Sequence, residues 1–467
     1  APPRPAPAPP MTNPPLPVAA CAGAKDYVAL PDGEQPDIEA ERTPRPLSFS
    51  VLVGNVALVL LFSVSAHASK NALAPAQPTL ERLGLSPLLY SIVAATPMLG
   101  AIVLPTAWGS AYADHEKEVL VAIPLGELVG QVLIAAALAL LRVPAVSEVA
   151  VGGLLFVGLM VFSAFHGGAH VVQCTVLSRI LPYGETTGFV ATIGFTKLVV
   201  AACNFVVPPV LERHGVLGVQ LMLLVPGAVS LLAGIWLALL ADTFTVPHSR
   251  TSSVITEDVV IEETPGPCLP CSARGLFKGT GVIWLLSFWR ALVMGALHSF
   301  RTIQNGLVTQ YEVSLVEAGS IVGWTQTLAL CILPVLGLFA DCAGRRVLIV
   351  LTSWLVALGA LVLAWGPGVP SLAWIGSLLS VALASLVIPV VALSLVRRNS
   401  RKALGWSFGL LESLFSLAQV VFTVAVGALR EAGGYEYALV FNCACLCVGA
   451  ATSVVLAATV RDVQSDA

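Results

Sequence analysis

The sequence predicts an all-α polytopic membrane protein, and three observations carry that prediction. Only 11% of the 467 residues are charged, 57% are hydrophobic, and the mean hydropathy is +0.87. A soluble globular domain carries roughly 25% charged residues, so this chain lacks the charge to cover a surface in water. The apolar runs continue well past strand length, which makes the crossings helices rather than barrel strands. The same apolar content excludes a mainly disordered chain. A net charge of −3 with no long basic block leaves no electrostatic footprint for nucleic acid.

About twelve stretches of spanning length follow one another, at ~20 residues per crossing. Their approximate cores are 48–67, 87–108, 119–141, 149–173, 188–210 and 216–241, then 279–301, 316–339, 346–366, 372–396, 403–429 and 437–460. Residues 1–46 precede them and hold thirteen of the 32 prolines, which reads as an extended, disordered Pro/Ala-rich tail with no apolar face. The first apolar run begins near Leu47, behind that polar tail, so no cleavable secretory signal is expected. The polar stretch 242–278, with TSSVITEDVVIEETPGP, divides the crossings six and six. The expected organisation is therefore two pseudo-symmetric six-helix bundles, 47–241 and 279–460, a central loop at 242–278 and a short tail at 461–467. Arg345, Arg346, Arg397, Arg398, Arg401 and Lys402 fall on the side of both termini, whereas Lys70, Arg82, Arg142, Arg213, Arg301 and Arg430 fall on the other. The excess of basic residues marks the cytoplasmic side, so both termini are expected in the cytoplasm.

Between the eighth and ninth crossings stands Gly337-Leu-Phe-Ala-Asp341-Cys-Ala-Gly344-Arg345-Arg346. Gly337 would let two helices approach closely, Asp341 can face a neighbouring helix N-terminus, and the arginines suit a cytoplasmic turn. This run resembles the cytoplasmic signature of the major facilitator superfamily, G-x-x-x-D-[R/K]-x-G-[R/K]-[R/K]. That resemblance covers about 47–460 and implies a secondary transporter in which these residues latch one conformation. Cys342 replaces the usual basic residue, which removes one latch contact. The equivalent turn between the second and third crossings keeps Ser110 and Asp114 at the same spacing but lacks the later Gly and the arginines. A narrower stretch, His166-Gly-Gly-Ala-His170 with Gln173 and Thr175 and then Lys197 and Asn204, resembles the lysosomal dipeptide-transporter branch, where an arginine stands in place of Lys197.

Charge inside a membrane span is costly, so each such residue is a functional candidate. Lys197 shares a face with Ala201 and Asn204 and could bind an anionic group, or could form a structural ion pair. Glu412, Ser416 and Gln419 form an i, i+4, i+7 stripe at the matching depth. Glu412 is the first candidate for proton coupling, and a Lys197–Glu412 salt bridge is the structural alternative. Arg290 suits bidentate carboxylate recognition, or a pairing with Glu412 or with backbone carbonyls. Ser163, His166, His170 and Gln173 recur at i, i+3, i+7 and i+10, a polar stripe facing either a wet cavity or neighbouring helices. The histidines, His166 above all, could accept protons. Glu127 in the third crossing reads as structural.

No nucleotide-phosphate motif and no metal-ligand spacing is present, so neither a cofactor nor an ATP-driven pump is expected. Cys268-Leu-Pro-Cys271 lacks the surrounding βαβ unit of a redox motif. Tyr27-Val-Ala-Leu30 fits a Y-x-x-Φ pattern that a sorting adaptor reads, leaving the plasma membrane and an endolysosomal or vacuolar membrane both open. The expected activity is alternating-access transport of a small carboxylate-bearing solute, an amino acid, short peptide or organic acid, with protons as the expected coupling ion. The alternatives are a pH-independent uniporter of a neutral or zwitterionic solute, or a non-transporting receptor that keeps the fold.

Overall fold

The computed structural model describes residues 49–82, 86–140, 143, 147–181, 185–244, 281–299, 308, 313–364, 371–399 and 404–459. The tail with Tyr27–Leu30, the loop with Cys268 and Cys271, Arg301, and 460–467 lie outside them. Every regular element described is a helix. The α-helices are α1 (Phe49–Phe62), α2 (Val64–Arg82), α3 (Pro87–Ala95), α4 (Leu104–Asp114), α5 (Glu116–Leu140) and α6 (Glu148–Ile180). They continue with α7 (Glu185–Phe244), α8 (Gly281–Ser299), α9 (Leu315–Ala343), α10 (Arg345–Ala364), α11 (Ser371–Asn399) and α12 (Leu404–Thr459). Among the described residues, eight helices are long and apolar enough to cross a membrane, or nine if the bent α1–α2 pair forms one span.

The breaks follow local chemistry. α7 and α12 run for 60 and 56 residues, each interrupted by non-helical backbone, at Gly215 (φ 68°) and at Gly433–Gly434 (φ 76° at Gly434). Left-handed backbone costs a side chain dearly and glycine little, so at these positions one helical segment turns into the next. Serines cap α3, α6 and α9: Ser86, Ser147 and Ser314 accept the N–H of Leu89, Ala150 and Glu317. α3 and α4 are joined by two 3₁₀ turns, Thr96–Met98 and Gly100–Ile102, where the sequence predicted one continuous crossing. The Ser163 hydroxyl accepts the N–H of Gly100 at 2.6 Å and so occupies part of that irregular segment.

The first crossing also differs from expectation. It bends by 45° at Ser63 and continues through Pro75 and Pro78 to Arg82, so Lys70 lies on a helix rather than in an external loop. Helix packing then follows glycine. A Cβ on Gly109 would stand 2.2 Å from the carbonyl oxygen of Gly405, and one on Gly409 would stand 2.5 Å from Cα of Thr106. α4 and α12 therefore meet backbone to backbone, the close approach that small residues permit. α11 is the most enclosed helix, with 83% of its apolar window buried against 22% for α9.

Candidate functional site

Three adjoining chambers, with volumes of about 840, 600 and 660 Å³ that include space open to solvent, lie among α2, α3, α6, α7, α8, α9, α11 and α12. Lys70, Lys197, Arg290, Glu412 and four histidines (His67, His166, His170 and His298) line them. An ionic cluster inside an apolar bundle costs free energy unless its members satisfy one another. The geometry shows how they do.

Arg290 Nη2 lies 3.0 Å from Glu412 Oε2, with both side chains buried, and Nη1 donates to the carbonyl of Leu411 at 3.1 Å. The guanidinium sits 4.6 Å from the ring centroid of Phe415, a cation–π distance. Arg290 Nε makes no hydrogen bond, so the fork keeps donor capacity beyond the ion pair. Lys197 Nζ donates to Ser385 Oγ at 2.7 Å across 188 residues. Glu412 thus pairs with Arg290, one of the two cations that the sequence offered it. The reason is topological: α8 packs along α12, and this brings Arg290 onto the carboxylate.

Lys70 Nζ donates to Gln419 Oε1 at 2.7 Å and lies 5.1 Å from the Phe415 ring centroid. Phe415 therefore carries two cations, one from the first crossing and one from α8. His67 Nε2 is 3.1 Å from Thr196 Oγ1, and its ring meets that of His170 edge-on at 5.9 Å. His166 stacks on Phe162 at 5.4 Å. His298 lies 5.1 Å from Phe415.

The structure gathers most of the sequence-predicted residues around these chambers. Lys197, Arg290, His166, His170 and Glu412 line one chamber, and Asn204 and Gln419 line its neighbours. Asn204 also donates to the carbonyl of Val200 at 2.8 Å, a bond within its own helix. Gln173 is set apart: it is buried, its amide makes no hydrogen bond, and it lines none of the three chambers. Sequence reasoning missed His67, Lys70, Asn71, Thr196, Ser385 and His298. Two signals were present: Lys70 and Asn71 follow His67 at i+3 and i+4, and His298 follows Arg290 at i+8 through Met294. Among the described residues, no group of three or more His, Cys, Asp or Glu is placed to hold a metal ion.

The residues that the sequence suggested as a latch have the following surroundings. Gly344 takes φ 86° and ends α9. Arg345 is buried, with Nε on Ser394 Oγ at 3.0 Å and Nη2 on Thr186 Oγ1 at 3.2 Å, so it ties α10 to both α11 and α7. A Cβ on Gly337 would meet Val190 at 2.8 Å, a close approach of α9 to α7. Arg346 is half-buried and Asp114 is exposed at the end of α4. The Asp341 side chain lies outside the described atoms. Arg397 adds a contact not foreseen: it donates to the carbonyls of Ser178 and Leu181 at 3.2 and 3.0 Å, satisfying the open end of α6. On α12, Arg430 makes a bidentate pair with Glu81 at 2.9 and 3.0 Å.

No family model and no curated protein matches the sequence. Among solved structures, the fold is similar to that of the human organic anion transporter MFSD10 (TETRAN), at a TM-score of 0.61 and 12% sequence identity. The likeness covers 86% of this chain and 99% of that one. The chain has the fold of a major facilitator superfamily transporter.

Proposed function

We propose that this protein is a secondary active transporter that moves a small carboxylate-bearing solute by alternating access, with protons as the coupling ion. The observation that carries this reading is the cavity that Lys70, Lys197 and Arg290 line together with Glu412, the one carboxylate among the described residues that line it. A cationic excess within an apolar bundle attracts an anion. Arg290 then offers the planar fork that a carboxylate matches.

The cycle follows from the pair already present. The solute carboxylate takes the place of Glu412 on Arg290, and Lys197 and Lys70 bind the rest of the solute through donors now engaged by Ser385 and Gln419. Glu412, released from its counter-charge within an apolar bundle, takes up a proton, with His166 beside the chamber as a second acceptor. Solute and proton thus arrive together. His170, Asn204 and Gln419 add hydrogen bonds, and Gln173 supports α6 from behind. The structural neighbour MFSD10, an organic anion transporter, agrees in solute class. Amino acids, dipeptides and organic acids are the first candidates.

We take α7 and α12 as two crossings each, and α1–α2 and α3–α4 as one each, which gives twelve in two six-helix halves. Rocking of the halves about the cavity exposes it alternately. The latch of Gly337, Asp341, Gly344, Arg345 and Arg346, with Asp114 in the degenerate copy, holds one end. The Arg430–Glu81 pair holds the other. Both termini are placed on the cytoplasmic side, where Tyr27–Leu30 would meet a sorting adaptor.

Uptake by purified protein in proteoliposomes, across amino acids, dipeptides and mono- and dicarboxylates, tests the reading. Uptake that grows with an inward proton gradient and loses that growth in Glu412→Gln supports coupling. Uptake indifferent to pH supports a uniporter in which the Arg290–Glu412 pair is only a gate. Silence across the panel removes the solute class.

A further inference from the structure

A second buried carboxyl lies away from the cavity. Glu127, on α5, has no exposed surface, and neither of its carboxyl oxygens makes a hydrogen bond. Among the described residues no cation pairs with it. Its surroundings explain why. α5 packs against α2, α4, α6 and α7. From α7 the second half faces it, and Val216–Ala241 contains no ionisable side chain. The ionisable groups of α6 are occupied elsewhere: His166 and His170 line the cavity, and Arg179 pairs with Glu116. On α4, Tyr112 donates to Glu116, and Asp114 is exposed. On α2, His67 and Lys70 line the cavity and Glu81 pairs with Arg430. The polar group beside Glu127 is the hydroxyl of Ser65.

Ser65 belongs to the bend of the first crossing. In a regular helix its N–H would donate to the carbonyl of Leu61. Here the Ser230 hydroxyl of α7 stands between them, accepting the Ser65 N–H at 2.9 Å and donating to the Leu61 carbonyl at 3.2 Å. A side chain inserted into the ladder is a recognised cause of a kink. Gln131, one turn beyond Glu127, donates through Nε2 to Ser65 Oγ at 2.9 Å and to Ser69 Oγ at 2.6 Å. The bend is therefore gripped by polar side chains of α5 and α7. The residues that follow it, His67, Lys70 and Asn71, are cavity residues.

We infer that Glu127 is a proton-binding site, occupied in this conformation, whose proton is exchanged during the transport cycle and whose charge state sets the bend of the first crossing. An ionised carboxylate in an apolar site with no counter-charge is far more costly than the acid. When the proton leaves for water, the carboxylate becomes a strong acceptor and the Ser65 hydroxyl turns to donate to it. That pull draws the bend toward α5 while Ser65 Oγ still accepts from Gln131, and Lys70 shifts with the helix that carries it. Glu127 is on this account a positioning residue. It touches no solute, and it reaches the cavity through α2.

The inference rests on the transport reading for its role in the cycle, but not for proton binding itself. The first measurement is infrared difference spectroscopy of the full protein in lipid vesicles, following the carbonyl stretch of protonated carboxyl groups. A band present at neutral pH, lost on raising the pH and missing in Glu127→Gln supports the site. A spectrum that Glu127→Gln leaves unchanged overturns it. The second measurement compares solute counterflow with gradient-driven uptake. In Glu127→Gln counterflow persists, and the ratio of uptake with and without a proton gradient falls to about one. An unreduced ratio overturns the coupling role. Glu127→Asp and Ser65→Ala serve where Glu127→Gln fails to fold: the first should restore the ratio and the second lower it, and the reverse pattern overturns the role. If the native protein moves no solute, the transport reading has failed, and the infrared band still decides whether Glu127 holds a proton.

Discussion

Glu412 and Glu127 are both buried carboxyls on apolar helices, and the structure treats them in opposite ways. Glu412 faces Arg290 at 3.0 Å, with Lys70 on the same aromatic ring, inside a cavity. Glu127 has no hydrogen-bonded oxygen and stands behind the first crossing. Coulomb attraction compensates the first burial. Only loss of charge makes the second tolerable. The contrast teaches that burial alone does not tell what an acid in a membrane bundle does; its partner does.

The largest expected effect comes from breaking the paired side. Arg290→Ala leaves Glu412 buried without its ion-pair partner, which costs about 3–5 kcal/mol. Thermal unfolding in detergent should show this as a large loss, most of it recovered by adding Glu412→Leu. Glu127→Gln should cost under about 1 kcal/mol by the same assay, because no ion pair or hydrogen bond is lost. Equal costs for the two would erase the comparison.

The next effect sharpens the unpaired side. Ser230→Ala removes the hydroxyl that bridges Ser65 and Leu61 and leaves a buried N–H open, at about 1–3 kcal/mol. Hydrogen exchange of the Ser65 amide should quicken, while the amides around Arg290 and Glu412 stay protected. Ser385→Ala deletes one neutral partner of Lys197 and should cost about 1 kcal/mol. It should alter the apparent affinity for solute more than the maximal rate, as read from uptake against concentration. The smallest effect belongs to an ion pair without deep burial. Arg179–Glu116 lies at 3.1 Å with the arginine side chain 40% exposed, so Arg179→Ala should cost about 0.2–1 kcal/mol and less still in high salt.

What could be read beforehand tracks the range of each cause. The fold class rests on the length of apolar runs, a local property, and it was legible. So was the identity of Lys197, Arg290 and Glu412 as costly residues, since each is a charge within a span. The choice of partner was not: the sequence offered Glu412 both Lys197 and Arg290, the latter 122 residues away, and only helix packing decides which cation meets the acid. Lys70 was placed in a loop because the apolar core of the first crossing ends at 67, yet here the helix runs on through Pro75 and Pro78 to Arg82. Glu127 read as structural because composition does not reveal that nothing pairs with it. The bend at Ser63 depends on a hydroxyl from Ser230, far along the chain, and has no local signature.

The glycine contacts have a consequence for the route of entry. α4 meets α12 through Gly109, Gly405 and Gly409, and α7 meets α9 through Gly337 against Val190 and Gly323 against Phe205. At these seams the helices meet with no room for a lipid tail between them. On the transport reading proposed above, a solute dissolved in the bilayer finds no side door at either seam, which favours cargo that is itself water-soluble.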